Sequence, residues 1–270
     1  MSNNILIAEQ NDCDVALVDG AKVFRYKDGD GNIQTVDIAG ITDGTSLFEN
    51  NQNIDVDWEV DLPNLTNATN MFKDSSIISW RTEVYKSYYN ESMFQDCKNL
   101  SSVNFGTLHA TVKNPIFNNT FNGCTNLSSF KISVLVSGRV SNVYFNGMFD
   151  GCNKLKTVSI DAKGSSTSGF ELNFTNMFKN CTQLENIVLN INLFLRATSV
   201  TAAGMFDGCL LGPEQLQQIL DWPYHPFRAL TDITIGVDST KVTQSDIDNG
   251  WNSKFSAKNW NVTWQLNTPE

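Results

Sequence analysis

The chain predicts a right-handed solenoid of mixed α/β character, and three observations carry that expectation. A phrase, Met-Phe, two residues, Cys, two residues, Leu, recurs along it. It reads MFQDCKNL at Met93–Leu100, TFNGCTNL at Thr120–Leu127, MFDGCNKL at Met148–Leu155 and MFKNCTQL at Met177–Leu184. The repeat cysteines, Cys97, Cys124, Cys152, Cys181 and Cys209, are spaced by 27, 28, 29 and 28 residues. A phrase returning at such an interval specifies a stack of like units. The third observation is a change of apolar period after each leucine slot.

The Met, Phe and Cys spacings of one and three suit a helical turn that buries one face. Apolar residues then follow the leucine slot by three and five positions: Val103 and Phe105, Phe130 and Ile132, Val158 and Ile160, Ile187 and Leu189. That two-residue step is strand periodicity. Each coil is therefore expected to be a short helix plus a short strand. Met71-Phe72 opens another copy, with Ser75 in the cysteine slot and Ile78 in the leucine slot. Leu47-Phe48 opens a weaker one, with Asn51 and Ile54 in those slots, giving about seven repeats over residues 43–211. No unit can bury its apolar face alone, so neighbours must supply stability and the ends need caps.

Residues 1–42 do not fit the repeat and are expected to form a β-rich attachment or capping region. VALVDGAKVFRYKDGDGNIQTVDIAG alternates about a turn at Asp28-Gly29-Asp30-Gly31-Asn32, which reads as a hairpin with Val23, Tyr26, Ile33 and Val36 near its arms. Asp28, Asp30 and Asn32 also alternate as in a calcium loop, but Ile33 and Ala39 stand where an EF-hand needs Gly and an acid. Residues 212–270 are expected to be an αβ cap. Pro213 starts a helix, PEQLQQIL; TDITIGVD reads as a strand; TQSDIDNGWNSKFSAKN reads as a helix with Thr243 or Ser245 as N-cap; WNVTWQLN closes as a strand.

The Met-Phe-x-x-Cys-x-x-Leu phrase resembles the leucine-rich repeats of the bacterial surface-antigen type, the BspA-like class, from about Thr45 to Leu211. The sequence departs from the pattern at Ser75, at Thr120 and at Gly212 in the last leucine slot. The resemblance implies a leucine-rich-repeat-type solenoid used in surface recognition or adhesion, and no catalysis. The tail is more loosely similar to ends found on repeat proteins of gut bacteria and their phages.

Composition narrows the function classes. The chain has 270 residues and a net charge of −10, which disfavours nucleic acid and anionic membrane surfaces as partners. Its six cysteines could staple a secreted protein; alternatively, the five in equivalent slots form a ladder of buried thiols that pack as small apolar residues. No Cys-x-x-Cys or Cys/His cluster predicts a metal or other cofactor, and His109 and His225 are far apart in sequence. No nucleophile elbow, phosphate loop or dinucleotide fingerprint is present. The expectation is a non-enzyme, with a carbohydrate-active enzyme as a remote alternative because two acids need no sequence proximity.

The candidate binding surface follows from strand alternation. If Val103 and Phe105 point inward, Ser102 and Asn104 point outward, as do Ser129 and Lys131, Thr157 and Ser159, and Asn186 and Val188. This ladder of small polar groups suits a glycan or a protein, and equally suits a solvated sheet face. The segment SWRTEVYKSYYNES adds Trp80, Arg81, Tyr85, Tyr88 and Tyr89, residue types enriched at binding hot spots that also pack in cores. Trp222, Tyr224 and Phe227 pose the same question, with packing in the cap favoured. The N-terminus lacks a basic region followed by a long apolar run. The functional expectation is thus a phage virion component, a tail, fibre or capsid-attached protein, made in the host cytoplasm and binding a host surface glycan or protein or other virion proteins. A bacterial surface or secreted adhesin lacking its leader is the alternative, and a homo-oligomer is allowed.

Overall fold

The computed structural model describes residues 13–19, 21–27, 32–52, 57–59, 62–82, 85, 87–110, 115–138, 142–166, 170–191, 197–222 and 232–269. The chain starts as an antiparallel sheet of β1 (Cys13–Val18), β2 (Ala21–Lys27) and β3 (Ile33–Asp37). Lys27 faces Ile33 across the expected hairpin. Residues 28–31 of its turn, and with them the calcium-loop question, lie outside the described residues. A 3-10 turn at Ile38–Gly40 leads into the repeats.

The repeats form two rows of parallel strands. The first row holds β4 (Asp57–Glu59), β5 (Ser79–Arg81) and β6 (Ser102–Asn104) in one sheet. It continues in a second sheet with β7 (Thr107–Ala110), β8 (Ser129–Gly138), β10 (Thr157–Ser166) and β12 (Asn186–Ile191). The other row holds β9 (Asn142–Tyr144), β11 (Phe170–Asn173) and β13 (Ala197–Thr201). Single parallel bridges extend that row backwards through Tyr144, Ile116, Tyr89, Asn67 and Asp43. Apolar slots stand in line, Phe130 beside Val158 beside Ile187 and Ile132 beside Ile160 beside Leu189.

The α/β leucine-rich-repeat solenoid with a short helix in every coil is not what forms. The Met-Phe-x-x-Cys segments are runs of tight turns, and among the described residues α-helix is confined to the C-terminal part. The reason lies in where alternate amides point. Around Phe94, the N–H groups of Met93, Gln95 and Cys97 donate within the rung to the carbonyls of Asn90, Ser92 and Phe94 at 3.1–3.2 Å. The N–H groups of Ser92, Phe94 and Asp96 donate to Asn118, Thr120 and Asn122 of the next rung at 2.7–2.8 Å. This alternation requires left-handed residues four positions apart. They occur at Ser46/Asn50, Asn70/Asp74, Ser92/Asp96, Asn119/Gly123, Gly147/Gly151, Asn176/Asn180 and Gly204/Gly208. A right-handed helix cannot run through two such residues.

Side chains reinforce the same stack. The phenyl rings of Phe48, Phe72, Phe94, Phe121, Phe149, Phe178 and Phe206 lie face to face, with centroids 5.2–5.6 Å apart and interplanar angles of 2–14°. Beside them, each repeat thiol donates to the Phe carbonyl one rung back: Cys97 to Phe72, Cys124 to Phe94, Cys152 to Phe121, Cys181 to Phe149 and Cys209 to Phe178, at 2.8–3.0 Å. All five are free and buried, the apolar-ladder alternative read from their spacing. The departures from the phrase are accommodated in kind. Thr120 is buried in the methionine slot and its hydroxyl donates to the Asn90 carbonyl at 2.8 Å. Ser75 is buried with its hydroxyl 3.6 Å from the Cys97 sulfur. In that copy Ile77, not Ile78, fills the leucine slot; Ile78 faces solvent.

Both ends are sealed. Phe24 of β2 packs edge-on against Phe48 with centroids 4.9 Å apart. After β14 (Phe206–Leu211), α1 (Pro213–Leu220) buries Leu216, Ile219 and Leu220. The edge of β12 is covered: Ile187 N–H donates to Gln218 Oε1 at 2.8 Å, and Gln215 Nε2 donates to the Glu185 carbonyl at 2.9 Å. Covering an edge this way prevents strand addition. Then β15 (Ile233–Asp238) pairs with β16 (Val262–Asn267), and between them run α2 (Gln244–Asp246), a π-helical turn and α3 (Asn252–Ser256). Thr243 is the N-cap, accepting from Asp246 N–H. Trp222, Trp260 and Phe255 close the core at this end; Tyr224 and Phe227 lie outside the described residues.

Two predictions follow from the ladders. At Gly208, φ is +70° and a Cβ would collide with Asn180 Oδ1 of the preceding rung, so Gly208→Ala lowers unfolding free energy by about 1–3 kcal/mol in urea titrations. Gly250→Ala, in open helical space, leaves it unchanged or raises it by about 0.5–1 kcal/mol. The second concerns alkali. Burial holds the thiol of Cys97 up at about 12 and those of Cys124, Cys152, Cys181 and Cys209 well above their ordinary value. Above the unfolded thiol pKa of about 8.5 the unfolded chain loses protons that the folded chain keeps, so stability must fall as pH rises from there toward about 12. Denaturant midpoints measured between neutral pH and pH ~11 check the sign, and a flat profile would exclude buried thiols.

Candidate functional site

Among the described residues the first strand row is interrupted at one place. No strand pairing joins β6 to β8; they belong to different sheets. The cause is one extra residue. Apolar slots in register would set Thr107 opposite Val134, yet Thr107 pairs with Ser133. Gly106 takes up the slip at φ +61°, and its N–H donates to Asn104 Oδ1 at 2.8 Å. A glycine in the left-handed region is the usual seed of such a bulge.

The facing edges of β6 and β8 therefore open into a groove of about 450 Å³, within the roughly 300–1,000 Å³ range of small-ligand clefts. Its rim carries Ser102, Asn104, Ser129, Lys131, Thr157 and Ser159. The first four are exposed and the two on β10 half-buried. Thr157 stands beside Ser129 and Ser159 beside Lys131 in the β8–β10 register. Gly106 and Ser133 also line the groove, and neither was singled out from sequence. The signal for Gly106 was a glycine interrupting a strand pattern; Ser133 follows only once the register slip is known.

The remaining candidates divide. Asn186 is exposed and pairs with Thr157, but does not line the groove. Arg81 is exposed and stands in register with Asn104 on the side away from β8. Trp80 and Tyr85 are 1% and 2% exposed and belong to the core. The Trp80 ring lies 5.3–5.8 Å from Phe72, Phe94 and Phe105. The Tyr85 hydroxyl donates to Asn90 Oδ1, and burial raises its pKa strongly. These two are corrected from ligand contacts to packing, because a Trp and a Tyr at inward positions fill the space that shorter rungs leave. Tyr88 is half-buried, and Tyr89, 39% exposed, bridges Asn67 and Ile116 in the other strand row.

Charged groups elsewhere pair from rung to rung. Lys73 pairs with Glu49 at 3.6 Å and Lys179 with Asp207 at 3.3 Å, each from one rung to the next. Partial burial raises the Asp150 carboxyl, opposed by Lys179 and by a hydrogen bond from Asn180; these are neighbours in the turn ladder, away from the groove. Among the described residues no group of three or more His, Cys, Asp or Glu side chains could hold a metal ion. No described helix is long and apolar enough to cross a membrane. His225 lies outside the described residues.

No protein-family model, no curated protein and no solved structure matches this chain.

Restoring the register should close the groove. Deleting Gly106 removes the extra residue, and the Cβ-bearing Gly106→Val disfavours the bulge by about 1–2 kcal/mol through its left-handed φ. Chemical-shift changes confined to β6, β7 and β8 in either variant are the expected outcome; changes spread through β10 and β12 would place the break elsewhere.

Proposed function

We propose that the protein is a non-enzymatic recognition module of a surface assembly, a virion component of the tail, fibre or capsid-attached kind, that holds a host-surface glycan in the β6/β8 groove. The observation that carries this reading is the convergence of six hydroxyl or amide side chains and one ammonium on a single groove held by a rigid ladder. Ser102, Ser129, Thr157 and Ser159 each offer one donor and two acceptor lone pairs, and Asn104 offers an amide. A sugar carries hydroxyls of the same kind. Strand backbones fix the spacing of these groups, so little ordering is left for binding to supply.

The N-terminal antiparallel sheet lies outside the parallel rows, which leaves it as the attachment end and the groove as the reading face.

The test is a glycan array probed with the full chain, followed by product analysis of every sugar bound. Binding without product release is expected, and Ser102→Ala with Ser129→Ala, both exposed, should weaken it by about tenfold or more while the unfolding midpoint stays put. Release of shortened sugars would replace this reading with a carbohydrate-active enzyme. Glycan binding alone is common to a virion protein and a bacterial adhesin; finding the chain in purified virions by mass spectrometry separates them in favour of the first.

A further inference from the structure

The groove has one feature that hydroxyl recognition does not use. Among the described residues Lys131 is its only charged lining residue, and no carboxylate lines it. The chain as a whole carries a net charge of −10, and among the described residues its other outward lysines, Lys98 apart, are engaged. Lys73, Lys156, Lys179 and Lys241 pair with Glu49, Glu185, Asp207 and Asp238 at 2.9–3.6 Å. Lys154 donates to Asn126 Oδ1 at 2.7 Å, and Lys254 lies over the Trp251 ring at 4.2 Å. Lys131 has no such partner among the described residues. Asp161, on the same face of β10, stands in register with Ser133 and does not line the groove. A cation left unpaired inside a hydroxyl-lined groove of an acidic chain is a place for an anion.

We infer that the groove takes a carboxylate-bearing sugar, a uronic or sialic acid residue of a glycan, with its carboxylate on Lys131 Nζ and its hydroxyls on Ser129, Ser159 and Asn104. This rests on the recognition reading above and names its ligand class. A peptide fits less well. Inserting an extended strand between two edges needs about twice the 4.7–4.9 Å strand spacing, whereas Cα atoms of β6 and β8 already approach within 8 Å. The apolar residues that line the groove, Val103, Phe130 and Ile132, are buried and leave little surface for an anchoring side chain. A phosphate monoester fits less well too, because it carries close to two negative charges and the described lining offers one cation, Lys131. A sulfate ester shares the single charge of a carboxylate, and the sulfated pair in the experiment separates the two. One ammonium flanked by hydroxyls matches a carboxylate, which has two acceptor oxygens and a single charge.

The experiment uses the full chain and matched sugar pairs: oligogalacturonate against its methyl ester, sialyllactose against lactose, and a sulfated oligosaccharide against its unsulfated form. Calorimetry on wild type should show at least one acid form bound about tenfold tighter than its neutral partner, with the preference shrinking as salt rises from about 0.02 to 0.5 M. Lys131→Gln should bring acid and neutral forms to equal affinity; Lys131→Arg should keep the preference. Lys131 is exposed, and thermal unfolding of both variants checks that the fold is intact. Equal binding of acid and neutral sugars by wild type, an acid preference that survives Lys131→Gln, or a preference for the sulfated sugar alone would overturn the carboxylate assignment and leave glycan recognition standing. Failure of wild type to bind any sugar would overturn the recognition reading and this inference with it.

Discussion

The structure depends on the division of the turn amides between two directions. In each Met-Phe-x-x-Cys segment one set of N–H groups closes turns within the rung, and the alternate set reaches the carbonyls of the next rung. Buried backbone groups must be paired, and here half of them can be paired only by a neighbour in the correct register. A single rung would leave those groups open, so the backbone itself makes the units interdependent. The left-handed residues are the local condition for this arrangement. Where one is glycine, as at Gly147 and Gly204, the side-chain amide oxygen Oδ1 of Asn119 or Asn176 from the preceding rung occupies the space a Cβ would need.

Once the backbone register is set, the side-chain ladders follow. Phenyl rings separated by 5.2–5.6 Å sit in near-parallel contact because equivalent Cα positions repeat at strand spacing. Each such ring is worth several kcal/mol if cut back to alanine, on the order of 3–5 kcal/mol for a buried Phe. The thiol beside it adds a hydrogen bond to a carbonyl that already accepts from its own rung: Phe94 O takes both Cys97 N–H and Cys124 Sγ–H. Exposed ion pairs between rungs, such as Lys73 with Glu49, contribute less, typically under about 1 kcal/mol each, but they discriminate against register slips. The proposed site lies where the register slips anyway. The extra residue at Gly106 separates β6 from β8, and polar side chains that elsewhere form a solvated face gather around an opening.

The sequence made the stack legible in part. The interval, the in-line apolar slots and the outward positions of Ser102, Asn104, Ser129 and Lys131 could all be read from spacing and alternation. The turn segments could not be read from apolar residues alone, because Met, Phe and Cys at one and three positions satisfy a helix as well as a string of turns. The deciding residues were the polar ones between them. Asn176 and Asn180, or Gly147 and Gly151, flank the phrase in slots where a helix would disfavour them. Ile77 against Ile78 was undecidable because the second copy is shorter and the slot shifts by one. Trp80 and Tyr85 were misassigned because residue type does not tell whether a large aromatic fills a core gap or meets a ligand. The groove was illegible because it depends on a one-residue difference between neighbouring strands, which no single repeat contains.

Amide hydrogen exchange on the native protein tests the central claim most directly. The N–H groups of Phe94, Phe121, Phe149 and Phe178 lie in turns, yet each donates to the next rung at 2.8–2.9 Å. They should exchange as slowly as the strand amides of Val158 and Ile160, at rates set by global unfolding. Exchange of these turn amides at the rate of an open surface loop, with the strands still protected, would contradict the backbone ladder.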